Sequence, residues 1–503
     1  MRIHILGVCG TFMGGVALLA HEHGHAVEGS DSAAWPPMSE VLAQAGIRVH
    51  DGYAEAHLDP PPDCVVIGNA LSRGNPALEY VLDRGLNYAS GPAWLASQVL
   101  GDRCVVAVAG THGKTTTSAM TAWALERCGL APGYLIGGAP CFSERSARLG
   151  SGSPFVVEAD EYDTAFFDKR AKVVHYRPRV LLLNNLEYDH ADIYPDLAAI
   201  ATQLHHAVRT VPRSGRVIVN GDDPNLHELL ERGLWTPLER VGMGPDCTWR
   251  IVAQGEGAEL LYNGESLGPL QLPQPGEHNQ RNAAAAVAAA TAAGAPAAAA
   301  LAALRDFPGV RRRLESRGVV GGIEVIDDFA HHPSAIAATL AALRQQASGR
   351  AGRLLAVLEP RSRTMQQGVH QERLAGALAE ADQAFVLATA QLAWSPAAVL
   401  APLGERAVTA GSVAELIEYI VACAHCGDRI VVMSNGDFEN IHERLLAALA
   451  GAGQASGQPP GQPPGQPPGH SSGQPADSVP EQSGAVPGAK GATATARGPG
   501  ADG

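Results

Sequence analysis

No stretch of this 503-residue chain approaches the roughly 18 uninterrupted apolar residues that a membrane span requires. The Ala-rich run from Ala283 to Ala303 comes nearest, but alanine is weakly apolar and Gly294 and Pro296 interrupt it. It reads as two packed helices of a soluble domain. The opening MRIHILG enters a strand directly, without the basic segment and apolar run of a secretory signal. Positive charge is also short: 37 Lys and Arg stand against 51 Asp and Glu, a net charge of -14. That balance argues against nucleic acid or an anionic membrane as the main partner. Anionic substrates then need local cationic sites. The eight cysteines form no framework, and Cys423 and Cys426 make a single C-x-x-C without a second pair. They read as buried or helix-end thiols in a reducing compartment. The expectation is a cytoplasmic protein.

Hydrophobic residues at 46% and charged residues at 17% suit ordinary globular domains. The length exceeds one compact core, so roughly two to four domains are expected. In the first hundred residues, short apolar runs alternate with helical stretches: strands at Arg2–Leu6 and Asp63–Ile67, a helix at Met13–His23. This is the rhythm of a parallel sheet. A second block opens at Cys104–Ala109. Its further strands are expected at Pro154–Glu158, Val180–Asn184 and Arg216–Val219, with antiparallel strands around Cys247–Leu267 and helices from Arg281 to Leu304. A third block opens near Gly309, with strands at Ile323–Asp327, Leu354–Leu358, Gln383–Leu387 and Arg429–Met433. From Gly451 to Gly503 the composition turns to Gly, Pro, Ala and Ser, including GQPPGQPPGQPPG. Such a segment buries too little apolar surface to offset its ordering entropy, so a disordered tail without a catalytic role is expected.

The strongest motif is VAVAGTHGKTTT, between an apolar strand and an amphipathic helix. Gly110, Thr111, His112, Gly113, Lys114, Thr115 and Thr116 form a phosphate loop. Its glycines let backbone N–H groups face phosphate oxygens at a helix start. Lys114 reaches the outer phosphates and Thr115 offers a hydroxyl to Mg2+. The usual pattern has a glycine where Val108 stands, so the loop is a variant. The next motif, VVEADEYD, carries Glu158, Asp160, Glu161 and Asp163 beyond a buried strand, where α/β sheets bind ligands. Alone, it reads equally as a solvated acidic loop. Next to a phosphate loop, its carboxylates suit Mg2+ held against a triphosphate. LLLNNLEYDHAD then delivers Asn184, Asn185, Glu187, Asp189 and His190 from one strand end, as a second metal site or a substrate clamp. HILGVCGTFMGG brings Gly7, Cys9, Gly10 and Thr11 to another helix start, where a diphosphate can dock. Its spacing is not G-x-G-x-x-G. Asp31 ends the following strand, where an acid often meets a ribose hydroxyl. His21, Glu22 and His25 formally match H-E-x-x-H, but Gly24 ends the helix that a zinc site would need, so zinc is rejected there. EPRSRTM sets Arg361 and Arg363 just after a strand. Arginine suits peptide carboxylates, although Arg361 also reads as a contact to ATP phosphate.

Together these pieces resemble the Mur ligase family over residues 1 to about 450. GTHGKTTT, EADEYD, NLEYDH, GEHNQRN, RRRLE and DDFAHHP occur in the family's order and spacing. GVCGTFMGGVA, IGNALSRGNP, YDTAFFDKR, YDHAD, LEPRSRTM and VMSNG resemble the branch that reuses cell-wall peptide. The resemblance implies an α/β, three-domain architecture: a Rossmann-like UDP-sugar domain over 1–102, a P-loop ATPase domain over 103–307 and a Rossmann-like domain over 308–450 that binds peptide and closes on ATP. It implies ATP-dependent ligation of UDP-N-acetylmuramate to the tripeptide L-alanyl-γ-D-glutamyl-meso-diaminopimelate through an acyl phosphate, with Mg2+ and no obligate protein partner. By the same match, Thr115, Glu158 and His190 would hold Mg2+, and Lys114, Glu158 and His190 would be catalytic. His278, Asn279 and Asn282 would lie near the nucleotide base, Arg313 and Asp328 would reach ATP, and Asn69 would meet the UDP-sugar. Any one arginine of RRRLE also reads as part of a solvated basic turn. Two departures stand out. Gln203 lies near the place where several members carry a carbamylated lysine, so no carbamate is expected. Asp437 and Glu439 replace glycines common in the closest relatives. An L-alanine-adding ligase and a non-catalytic ATP/UDP-sugar sensor are the competing readings.

Overall fold

The computed structural model describes residues 1–36, 38–255, 257–346 and 352–456. Three α/β sheets follow one another along the chain. The first is fully parallel, in the spatial order Arg48–Asp51, Ala26–Asp31, Arg2–Leu6, Cys64–Ile67, Tyr88–Ser90. The order reverses between Arg2–Leu6 and Cys64–Ile67, so a crevice opens beyond their carboxyl ends. The helix Thr11–Glu22 starts there, two residues earlier than the spacing suggested, because Gly10 already serves as its N-cap. That helix stops at Glu22, and Gly24 adopts φ 87°. His21 and His25 therefore share no helix, in keeping with the rejected zinc reading.

The central sheet has ten strands, and its parallel core sets the site. The strand Cys104–Ala109 lies between Val180–Leu183 and Pro154–Glu158. These are continuous apolar runs, as expected of strands covered on both faces. The antiparallel strands Trp249–Gln254, Gly257–Tyr262 and Glu265–Pro269 fill the region around Cys247–Leu267. The Ala-rich segment forms two helices, Glu277–Ala292 and Ala297–Ala303, and small alanines let the first pack closely on the helix Lys114–Arg127.

The third sheet adds an antiparallel edge, Glu315–Val320, before the strand expected at Ile323–Asp327, which runs one residue further to Asp328. Its Gly318 sits at a register irregularity and interrupts the alternation, which hid the strand from periodicity. Next in space come Arg429–Met433 and Leu354–Leu358, so the three loops carrying DDFAHHP, VMSNG and LEPRSRTM leave adjacent strand ends. No described helix is long and apolar enough to cross a membrane. The last helix, Ile441–Ser456, continues past the boundary expected at 450. Residues 457–503 of the expected tail lie outside the described residues. Because that segment lacks apolar periodicity, deleting 457–503 is expected to leave the melting temperature and specific activity nearly unchanged. A large drop in either would show that it packs on the core.

Candidate functional site

A cleft of about 1830 Å³ is lined by residues from all three sheets. Its floor is the phosphate loop. Gly110 has φ 124°, and a Cβ there would come within 2.8 Å of the Asn185 carbonyl oxygen. At Gly113, with φ 77°, a Cβ would lie 2.5 Å from both Asn184 Nδ2 and Asn282 Oδ1. Glycine is therefore required at both turns. The loop is braced from behind. Asn185 Oδ1 accepts from His112 N at 2.7 Å, and Asn184 Nδ2 donates to the His112 carbonyl at 3.0 Å. Asn282 Oδ1 accepts from Asn184 Nδ2 and from the Thr117 hydroxyl. Asn282 thus supports the loop from below.

The four acids of VVEADEYD divide their work. Glu158 Oε1 accepts from the Thr115 hydroxyl at 2.8 Å and Oε2 from Gly137 N at 2.6 Å. Burial raises its pKa, against the pull of the Gly137 amide, Lys114 and Thr115. Glu161 receives Lys114 Nζ at 2.8 Å and lies 2.8 Å from His190 Nε2. Burial acts to raise Glu161 too, but the Lys114 and His190 charges outweigh it and hold the carboxyl at about 2. Burial would lower Lys114 and His190, yet Glu161 raises both. Asp160 pairs with Lys172 at 2.9 Å, and its other oxygen is buried without a hydrogen-bond partner. A hydroxyl, buried carboxylates and one imidazole suit Mg2+, whose preference is for hard oxygen ligands. His190 itself stands at φ 57°, an uncommon backbone for a non-glycine residue, of the kind that collects at functional sites.

The third domain contributes the cation facing the phosphate loop. Of the three arginines of RRRLE, Arg311 is exposed and Arg312 donates to the Ser434 and Gly436 carbonyls. Arg313 is the one that turns inward, donating to Thr115 Oγ1 at 3.2 Å and lying 4.8 Å from the Phe329 ring centroid. Burial lowers its pKa, opposed by Asp328 and Glu158. Asp328 accepts from Leu314 N and Ala330 N at 2.9 Å each and from the Thr339 hydroxyl, so its carboxylate clamps the turn that carries Arg313. His278 and Asn279 line the same cleft, with Asn279 anchored on the Pro275 carbonyl.

At the first domain, Gly7, Cys9, Gly10, Thr11 and Asn69 line the cleft. Asp31 plays a supporting part. Its oxygens accept from Cys9 N at 2.8 Å and Ala33 N at 3.0 Å, which shapes the glycine loop. Arg361 and Arg363 are exposed and off the cleft wall, with Arg361 paired to the more exposed Asp437 at 2.7 Å. Gln203 accepts from Ala171 N at 3.0 Å. Lys172 was not singled out from sequence. It is buried, lines the cleft and lies 4.9 Å from the Phe12 ring of the first domain. Gly137, which holds Glu158, was also missed. It sits in a loop with no spacing signal.

Comparison with known proteins agrees with this geometry. Residues 2–102 match the catalytic domain of the Mur ligase family, 108–290 the Mur ligase middle domain and 312–436 the Mur ligase glutamate ligase domain. Over 456 residues the chain is 51% identical to the UDP-N-acetylmuramate–L-alanyl-gamma-D-glutamyl-meso-2,6-diaminoheptandioate ligase of Escherichia coli, covering 90% of this chain and 100% of that protein. A UDP-N-acetylmuramate–L-alanine ligase of Acidothermus cellulolyticus is 38% identical over 458 residues, covering 86% and 92%. The crystal structure of a murein peptide ligase from Psychrobacter arcticus superimposes with a TM-score of 0.69 at 44% identity, covering 90% of this chain and 99% of that one. With all three domains matched in order around one shared cleft, the chain belongs to the Mur ligase family.

Proposed function

We propose that this chain joins UDP-N-acetylmuramate to the recycled tripeptide L-alanyl-γ-D-glutamyl-meso-diaminopimelate, with cleavage of ATP to ADP and phosphate. The observation that carries the ligase reading is the single cleft in which Lys114, Glu158, His190 and Arg313 meet around the phosphate loop. The choice of tripeptide over L-alanine rests on 51% identity to the peptide-adding enzyme, against 38% to an alanine-adding one. In this reading residues 1–102 hold the UDP-sugar, 103–307 hold ATP, and 308–450 bring the amine and close over the nucleotide.

The chemistry joins two anions and then an amine. A carboxylate oxygen of the muramoyl group attacks the γ-phosphorus, the bond to the β-phosphate oxygen breaks, and ADP leaves. The amine nitrogen of the peptide attacks the acyl carbon of the resulting acyl phosphate. The nitrogen loses its proton, the carbon–oxygen bond to phosphate breaks, and amide and phosphate separate. The chain's part is to gather positive charge and exclude water. Lys114 is held at the loop by the Gly110 carbonyl and Glu161, ready to take a phosphate oxygen. Arg313 approaches Thr115 from the closing domain. Thr115, Glu158 and His190 would hold Mg2+, which supplies charge neutralisation of the phosphates.

His190 must be neutral to ligate a metal, yet Glu161 raises its pKa above the usual imidazole value. The protonated form therefore persists to higher pH and competes with Mg2+. The apparent Mg2+ affinity in the presence of ATP is expected to weaken as pH falls from about 8 to about 6. In His190→Asn that pH dependence should flatten. An equally steep dependence in the variant would remove His190 from the metal site.

Arg361 and Arg363 are the groups offered to the peptide's carboxylates. The Arg361–Asp437 pair is exposed, and such pairs contribute little, so a substrate carboxylate can take over the guanidinium. Replacing either arginine with Ala should raise the KM for tripeptide several-fold and leave that for ATP nearly unchanged. A rise in the KM for ATP alone would assign them to the nucleotide.

The function itself is tested by phosphate release from ATP with UDP-N-acetylmuramate, with or without tripeptide or L-alanine. Release that requires the tripeptide is expected. Release with L-alanine alone would favour the alanine-adding reading, and release indifferent to any amine would favour a sensor.

A further inference from the structure

We propose that His112, Glu187 and His332 form a site for a zinc-class divalent cation that fastens the third domain to the central one. The three residues come from separate segments: the phosphate loop, the loop after Val180–Leu183, and the turn after Ile323–Asp328. Their ligating atoms all lie within 4.8 Å of one another. Glu187 Oε1 is 3.8 Å from His112 Nε2, and Oε2 is 3.8 Å from His332 Nδ1. The two imidazole rings stand 4.6 Å apart between centroids. Ligand bonds of about 2.0–2.1 Å in a tetrahedron set their donor atoms roughly 3.4 Å apart, so a modest contraction completes the set.

Two observations favour a bound ion over a fortuitous cluster. His112 Nε2 is buried and has no hydrogen-bond partner. Such orphaned groups are rare in native interiors and ask for a reason. The cluster also carries the outer contacts that orient metal ligands. His332 Nε2, which carries the ring hydrogen when Nδ1 is the ligand, donates to His370 Nε2 at 3.2 Å. Glu187 Oε2 accepts from the Ser334 hydroxyl at 2.7 Å and faces Arg373 at 3.4 Å, which leaves Oε1 as the ligating oxygen. His332 Nδ1 accepts a long bond of 3.2 Å from Ser334 N, and the cation would replace that hydrogen. Two imidazoles and one carboxylate select zinc-class ions over hard Mg2+, which sets this cluster apart from the oxygen-rich set at Thr115 and Glu158. His112 and Glu187 also line the cleft, so a fourth ligand position faces solvent or an entering substrate.

The test uses the full-length chain, stripped with chelator and titrated with Zn2+ and, separately, Co2+. One equivalent of Zn2+ should bind and raise the melting temperature. Co2+ should give the visible bands of a low-coordinate nitrogen–oxygen site without thiolate charge transfer. His332→Asn and His112→Asn should each weaken Zn2+ binding at least about tenfold and abolish the Co2+ bands. His190→Asn should keep both. Circular dichroism of the zinc-free variants checks folding. Should His332→Asn not fold, Glu187→Gln keeps the shape and removes the anionic ligand, with the same loss expected. Unchanged affinity and spectrum in the variants at 112, 187 and 332 would overturn the site. So would loss confined to His190→Asn, or thiolate bands, which would put the ion at the acidic cluster or on cysteine.

Discussion

Replacing Lys114 with Ala should lower turnover by on the order of 10²–10³-fold, the usual consequence of losing one charge stabiliser from a transferring phosphoryl group. UDP-sugar binding should be intact, because the hydrogen bonds of Lys114 among the described residues stay within the central domain, to the Gly110 and Thr111 carbonyls and Glu161. The substitution also releases Glu161. That carboxyl is held at about 2 against its burial by Lys114 and His190. Losing Lys114 should raise it toward the unfolded carboxyl value, so the variant should be less stable than the parent near neutral pH and lose less further stability as pH falls. The sign follows from the depressed folded value: this contribution is present above the unfolded carboxyl pKa and is lost as pH falls through the folded one. Steady-state phosphate release and UDP-sugar titration measure the two arms. Near-normal turnover would remove Lys114 from the ATP site.

Arg313→Ala should have an effect of similar size, about 10²–10³-fold in kcat. Arg313 differs from Lys114 in belonging to the third domain and reaching the phosphate loop only across the seam, through Thr115. Its guanidinium packs beside Phe329, and Asp328 holds the turn that aims it. Arg313→Lys should not restore activity, since a lysine lacks both the planar fork and the stacking face. If Arg313 acts on charge that develops during transfer, kcat falls and the KM for ATP changes little. A rise in the KM for ATP at constant kcat would make it a ground-state binding residue.

The parallel core was legible because its strands are unbroken apolar runs with abrupt ends. Cys104–Ala109, Pro154–Glu158, Leu354–Leu358 and Arg429–Met433 were bounded correctly from sequence. Once such strands pair side by side within a sheet, the motifs at their carboxyl ends converge. What each polar residue does there was less legible. The four acids of VVEADEYD look alike in sequence, and only the backbone path beyond the strand sends Glu158 to Thr115 and Glu161 to Lys114. Lys172 stands in DKRAKVVHYRPR among four other Lys and Arg residues, and its burial follows from the hairpin formed by Asp163–Ala165 and Asp168–Ala171. Asp31 and Asn282 have residue types that suit ligands, but spacing cannot reveal that Cys9, Ala33, Asn184 and Thr117 already engage them. Conversely, GVRRRLE could not say which arginine turns inward. That choice depends on the left-handed backbone at Arg312 and Leu314 on either side of Arg313.

The central claim is ligation of the tripeptide through an activated muramoyl carboxylate. It is tested most directly by one reaction: UDP-N-acetylmuramate labelled with oxygen-18 in that carboxylate, incubated with the full chain, ATP, Mg2+ and tripeptide. Mass spectrometry should find the UDP-N-acetylmuramoyl-tripeptide and inorganic phosphate carrying one labelled oxygen per turnover. Phosphate free of label, or no peptide adduct while ATP is consumed, would contradict it.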